Sequence, residues 1–168
     1  CIQFMEKKAA MMEHRMVTVK GQKLSRADVD SVIFYAKQYM RNDGTSSVKT
    51  ESGMISYLND SIRWKITYVG NGYCVIQSTY DLTQYLGRTT GYAIGYVNCT
   101  SINNVPDSCL WTVEQADGGG VHISFVYNSK KYYVAQSSAN LVVAGTALTS
   151  SSTWRMASTD FYGNTSDC

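Results

Sequence analysis

The stretch WTVEQADGGGVHISFVYNSKKYYVA, residues 111–135, carries the clearest structural pattern in the sequence. It opens on a tryptophan, passes through a DGGG segment at residues 117–120, and continues as a run that starts at Val121 and alternates apolar with polar residues. Alternation with a period of two predicts a half-buried β-strand, and a short glycine-rich segment between two such runs predicts a turn. We therefore expect consecutive antiparallel strands here.

The same pattern occurs 47 residues earlier in the chain. WKITYVGNGYCVIQSTYDLTQYLG, residues 64–87, aligns with the later stretch without a gap. The matched pairs are Trp64 with Trp111, Ile66 with Val113, Ile76 with Ile123, Tyr80 with Tyr127, Tyr85 with Tyr132 and Ile94 with Leu141. Each unit then runs through polar residues to the next tryptophan, Trp111 or Trp154. The spacing of 43 to 47 residues indicates an internal repeat.

A weaker third copy precedes Trp64. FYAKQYM at 34–40 lies opposite YDLTQYL at 80–86, and VTV at 17–19 takes the place of WKI at 64–66. A helical interpretation competes with it, because Ser25 with Asp28 resembles a helix N-cap and apolar residues recur at helical spacing from Val29 to Met40. The local pattern predicts a helix over 26–41, whereas the repeat predicts strands.

Three units of W-x-[IV], a glycine turn, alternating apolar residues and a [KQ]-Y-[LMY] strand resemble a β-trefoil. The resemblance implies one all-β domain over 17–168, with units at about 17–63, 64–110 and 111–157, preceded by a short helical extension over 1–16. No unit buries its inward face alone, so three copies share one core. The alternative is an α+β fold in which an N-terminal helix packs on an antiparallel sheet.

Composition restricts the classes of partner. A chain of 168 residues fits one domain with a substantial core. Its net charge of +2 does not provide the strong basic patch of nucleic-acid-binding proteins. No apolar run reaches the length of a membrane span. We expect no nucleic-acid partner, no membrane span and no cofactor, and a secreted or cell-surface location.

The five cysteines show no metal-binding spacing. Cys99 and Cys109 bracket the polar loop TSINNVPDS and are candidates for a disulfide in an oxidising compartment. The alternative is a set of reduced, mostly buried thiols.

An enzyme is not expected, because acid-base or nucleophilic catalysis needs clustered reactive groups. Only two histidines occur. His14 falls in the extension, and His122 matches Val75 of the preceding unit, which favours a partly buried strand position. The carboxylates are scattered singly along the chain.

The units resemble those of ricin-type lectins and other glycan-binding modules of toxins and adhesins. They depart from that family at the Gln two residues before each tryptophan, where this chain has Ile62, Cys109 and Ser152. The resemblance implies non-catalytic recognition of a glycan or glycoprotein surface. Protein-binding trefoils of the cytokine-like, protease-inhibitor or actin-bundling kind, and a pilin-like structural subunit with a helix over 3–41, are the alternatives.

Sugar binding needs a stacking aromatic beside short polar residues on exposed hairpins. Two sets of residues at matching positions meet this description. They are Tyr80 with Asp81 and Gln84, and Tyr127 with Asn128 and Lys131. The structural alternative is that both tyrosines belong to the core or its rim and that their polar neighbours turn the chain.

Overall fold

The computed structural model describes residues 31–36, 38–51, 59–159 and 165–167. Within these ranges the regular structure consists of antiparallel β-strands and single turns of 3₁₀ helix, so the all-β prediction is confirmed. The strands are β1 (Ser31–Tyr35), β2 (Tyr39–Arg41), β3 (Lys49–Glu51), β4 (Trp64–Gly70), β5 (Tyr73–Ser78), β6 (Gln84–Arg88), β7 (Ile94–Asn98), β8 (Thr112–Gln115), β9 (Val121–Tyr127), β10 (Lys130–Gln136), β11 (Val142–Gly145), β12 (Arg155–Thr159) and β13 (Thr165–Asp167). No helix in the described ranges has the length and apolarity needed to cross a membrane.

Six of the strands pair in a closed order, β1, β4, β5, β8, β9 and β12, with β12 returning to β1. At three points in this order a tryptophan pairs with a buried residue of the preceding strand. These pairs are Val32 with Trp64, Cys74 with Trp111, and Val121 with Trp154. Three hairpins, β2–β3, β6–β7 and β10–β11, complete the described structure together with β13, which pairs with β12.

The three tryptophans are fully buried in one core cluster. Each indole N–H donates to a backbone carbonyl in the first strand of one hairpin. The bonds run from Trp64 to Met40 (3.1 Å), from Trp111 to Leu86 (3.0 Å) and from Trp154 to Val134 (2.9 Å). A buried indole needs such a partner, so each ring fills the core and also ties a hairpin to the closed set of strands.

The residues after the tryptophans face one another across strand pairs in the same way. Ile66 pairs with Ile76 and Val113 pairs with Ile123. On β1, Phe34 pairs with Met156 of β12. The strand beside β1 is therefore β12, which lies near the end of the chain. The repeat predicted that residues 17–19 would occupy this place, and those residues lie outside the described ranges.

The helix predicted for 26–41 is wrong wherever this range is described, because Ser31–Tyr35 and Tyr39–Arg41 are strands. Val32 and Phe34 of β1 face the main core, while Ile33 packs in a second cluster on the opposite face. A strand buried on both faces has a continuous apolar run, which also satisfies helical spacing. The α+β alternative and the pilin-like helix over 3–41 lose this part of their support. The extension over 1–16 lies outside the described residues.

Candidate functional site

A cleft of about 500 Å³ opens where β5 and β6 meet the sheet formed by β8 to β11. The joint between the two sheets is the pairing of Cys74 with Trp111, closed by two backbone hydrogen bonds of 2.8 and 2.9 Å. Polar or charged side chains line much of the cleft. They are Tyr73, Arg88, Asp107, Thr112, Glu114, Ser124 and Lys131. A cleft of this volume accommodates a small ligand.

The strand pattern sets which side chains reach the cleft. On β8 the buried Val113 faces the core, so Thr112 and Glu114 face the other way. On β9 the buried Ile123 and Phe125 face the core, which places Ser124 on the opposite face of the strand. The register places Ser124 opposite Thr112 on one side and opposite Tyr133 on β10 on the other.

Ser124 has an unsatisfied hydroxyl. The residue is only 1% exposed, and its Oγ has no hydrogen-bond partner. Burying a polar group without a partner costs about 1–3 kcal/mol. Since Ser124 lines the cleft, a ligand hydroxyl or carbonyl seated there is a natural partner for it.

An ion pair lies at the rim of the cleft. Lys131 Nζ lies 2.8 Å from Glu114 Oε1, with both side chains close to half exposed. The hydrogen bond to Glu114 is the main cause of a raised pKa at Lys131, and the same carboxylate adds a favourable charge. The Lys131 ammonium also lies 5.7 Å from the centre of the Tyr133 ring. The pair neutralises charge at the rim and leaves the second Glu114 oxygen available as an acceptor.

The first predicted set of site residues lies outside the cleft, with Tyr80 and Asp81 in the connection between β5 and β6 and Gln84 at the start of β6. Tyr80 is 45% exposed, as a stacking residue requires. Asp81 Oδ1 accepts hydrogen bonds from the backbone N–H and the hydroxyl of Thr83, at 3.0 and 2.7 Å, and so shapes the turn. Gln84 Oε1 accepts a bond of 2.7 Å from the side chain of the buried Asn42. Tyr80 is therefore the member of this set with the most accessible surface.

The second predicted set is divided by the structure. Tyr127 is half-buried beneath the Arg88 guanidinium, whose carbon lies 5.4 Å from the ring centre. Asn128 has a φ of 49° and Ser129 a φ of 63°, the left-handed pair that a two-residue hairpin turn requires. Lys131 alone lines the cleft. The two sets lie on different sheets, and their role in binding stays a prediction.

Most residues of the cleft were not predicted from the sequence as site residues. These are Tyr73, Arg88, Thr112, Glu114 and Ser124. A signal was present for the strand residues, because polar side chains alternate with buried apolar ones along β8 and β9. The signal does not say which alternating strands share a cleft.

Cys99 and Cys109 are free thiols that pack in one small apolar cluster with Val75 and Tyr85. Burial raises the pKa of Cys109 to about 11, with a further contribution from Cys99. The proximity of the two residues fits the predicted disulfide, which stays a prediction. The part of the chain that the structure describes contains no group of three or more His, Cys, Asp or Glu side chains arranged to hold a metal ion.

His122 is partly buried on β9, as its match with Val75 predicts. Its Nδ1 lies 3.2 Å from the backbone oxygen of Ser152, and its ring packs edge-on against Tyr133. These contacts fix the imidazole within the sheet.

No family model matches the sequence, and no curated protein is similar to it. Solved structures do match it. One is the GlcNAcα1-4Gal releasing endo-β-galactosidase from Clostridium perfringens, with a TM-score of 0.55 and 20% identity over 76% of this chain and 31% of that chain. The match spans less than a third of the enzyme and concerns the course of the backbone.

Proposed function

We propose that this chain is a non-catalytic, glycan-binding module with a β-trefoil fold, and that the cleft beside β8 and β9 binds a sugar. The closed order of six strands and the three hairpins support the trefoil. Three indoles with the same kind of bond, each to a hairpin carbonyl, support a threefold relation between the units.

The buried, unpartnered hydroxyl of Ser124 carries the proposal for the cleft. A serine hydroxyl both donates and accepts, which suits the hydroxyl groups of a sugar. Glu114 and Asp107 add carboxylate acceptors, and Tyr73 adds an aromatic ring that is 43% exposed. An apolar ring surface with a few convergent polar groups is the general composition of small-ligand sites.

The charges at the cleft favour binding over hydrolysis. Glycoside hydrolysis uses a carboxylic acid that carries a proton near neutral pH and a second carboxylate. Glu114 Oε1 accepts a hydrogen bond from Lys131 Nζ at 2.8 Å, and this charge-assisted bond holds the carboxylate in place as an acceptor. We therefore assign Glu114 to hydrogen bonding with the ligand. The named activity of the Clostridium perfringens protein supports an association of this backbone with carbohydrate-active chains, as one part of a longer molecule.

A protein partner is the second candidate. Val126 is 66% exposed at the edge of the cleft, and Leu148 is 55% exposed elsewhere. Single exposed apolar residues are common on monomeric proteins, so this observation carries less weight than the buried hydroxyl.

A glycan array followed by titration calorimetry tests the proposal. Ser124→Ala removes the unpartnered hydroxyl with little change in volume. We expect it to lower the affinity for the glycan selected on the array by about tenfold, without loss of stability. Ser61→Ala is the matched control, because Ser61 is also buried with an unpartnered Oγ and lies outside the cleft. Absence of binding to every glycan, or equal affinity of the Ser124→Ala variant and the parent, would contradict the proposal.

A further inference from the structure

Arg88 is the charged group of the cleft whose role the fold does not explain. It ends β6, is half-buried, and lines the cleft. Its guanidinium carbon lies 5.4 Å from the centres of two rings, Phe125 and Tyr127. Ion pairs between described residues join Arg41 to Glu51 and Lys131 to Glu114, and neither includes Arg88.

The rings hold the guanidinium without using its donors. A cation above two aromatic faces is fixed in position by the attraction of the π-systems. Among the described residues, the Arg88 guanidinium donates no hydrogen bond that would occupy its fork of five N–H groups. A planar fork held in advance loses little conformational freedom when it binds a planar or tetrahedral oxyanion in a bidentate manner.

Among the described residues that line the cleft, Arg88 is the cation that no ion pair holds. Lys131 already neutralises Glu114 across 2.8 Å. Asp107, in the first turn of the short 3₁₀ helix Asp107–Cys109, is exposed and repels any anion placed near it. A ligand that carries both an oxyanion and hydroxyl groups matches these side chains, with its anion at Arg88 and its hydroxyls as hydrogen-bond partners for Asp107 and Ser124.

We propose that the cleft recognises acidic glycans, with Arg88 binding the carboxylate or sulfate of the sugar. This inference rests on the proposed glycan-binding function and adds the ligand class to it. Bidentate binding of an oxyanion favours arginine over lysine at this position, since a lysine offers a point charge without the fork.

Calorimetric titrations of the full chain with matched sugars test the inference. Methyl glucuronoside is compared with methyl glucoside, and galactose 6-sulfate with galactose, so that the two arms separate carboxylate from sulfate. We expect at least one acidic sugar to bind about tenfold more tightly than its neutral partner, the difference expected for one charge-assisted contact.

Variants separate a specific contact from general attraction. Arg88→Gln should abolish the preference for the acidic sugar over its neutral partner, and Arg88→Lys should restore only part of the preference. Lys130→Gln, an exposed residue at the start of β10, removes the same charge and should leave the preference intact. Equal affinity of the parent for acidic and neutral sugars, or an unchanged preference in a folded Arg88→Gln variant, overturns the Arg88 assignment alone. Absence of binding to both kinds of sugar overturns the glycan-binding function as well.

Discussion

Replacing the tryptophans one at a time tests the core of the proposed trefoil. Trp64, Trp111 and Trp154 are fully buried, and each donates one hydrogen bond to a hairpin carbonyl. A Trp→Ala change in a core costs about 3–5 kcal/mol through lost burial and the cavity that remains. Because the three rings make the same kind of contact, we expect three costs of similar size.

A Trp→Phe series isolates the hydrogen bond from the burial. Phenylalanine retains most of the apolar surface but leaves the carbonyl of Met40, Leu86 or Val134 without its donor. An unsatisfied buried group costs about 1–3 kcal/mol, so each Trp→Phe variant should lie between the parent and its Trp→Ala counterpart. This series also remains measurable if an alanine variant fails to fold, since small domains have only about 5–15 kcal/mol of stability in total.

Urea unfolding followed by tryptophan fluorescence and circular dichroism gives the free energies. Leu148→Ala serves as the control, because this side chain is 55% exposed and its loss should change stability by no more than about 0.5 kcal/mol. A Trp→Ala cost below about 1 kcal/mol at two of the three positions would rule out the proposed repeat, because it requires all three buried rings to support the core.

Three further predictions concern titration, the turn and the thiols. Burial raises the pKa of Cys74 from 9.0 to about 12. As pH rises, the unfolded chain therefore loses this proton before the folded chain does. Between about pH 9 and pH 12 the free energy of unfolding should fall by up to about 1.4 kcal/mol per pH unit. Parallel curves of unfolding free energy against pH for the parent and Cys74→Ala would contradict this. Asn128 has a φ of 49°, which glycine adopts readily and alanine does not. Asn128→Gly should therefore preserve the melting temperature, whereas Asn128→Ala should lower stability by about 1 kcal/mol. Equal losses for the two variants in a calorimetric scan would rule out the turn assignment. In protein made in an oxidising compartment, mass spectrometry should find Cys99 and Cys109 joined, with a gain of roughly 2–3 kcal/mol over the reduced form; free thiols at both positions would remove the predicted disulfide.

The strands and their buried tryptophans follow from local features that a sequence displays. Alternation along β8 and β9, a glycine turn and an apolar residue two places after each tryptophan all report on one face of a strand. The alignment also placed Met40 opposite Leu86, and both accept an indole hydrogen bond.

From β6 and β10 onward, the ungapped alignment of the two units is one residue out of register. It sets Tyr133 opposite Leu86, whereas the indole of Trp154 donates to Val134. The connection from β5 to β6 spans residues 79–83, while β9 and β10 are joined by the two-residue turn 128–129. Differences in loop length and in strand length change the residue offset between the two units. Neither difference can be read from the matched tyrosines.

The cleft lay beyond prediction because it depends on which distant strands meet. Tyr73 and Ser124 are 51 positions apart and line one cleft through the pairing of Cys74 with Trp111. The closing strand β12 lies near the end of the chain and pairs with β1, a contact between residues 120 to 128 positions apart. Local propensity carries no information about pairings of this range.

An amide-resolved NMR titration with the glycan that binds best on the array locates the binding site. We expect the largest shifts on amides of Tyr73, Thr112 and Ser124, and smaller shifts in the Ser124→Ala variant at the same ligand concentration. Shifts centred on Tyr80 and Thr83, with the amides of the cleft unmoved, would rule out the cleft as the binding site and place binding on the connection between β5 and β6.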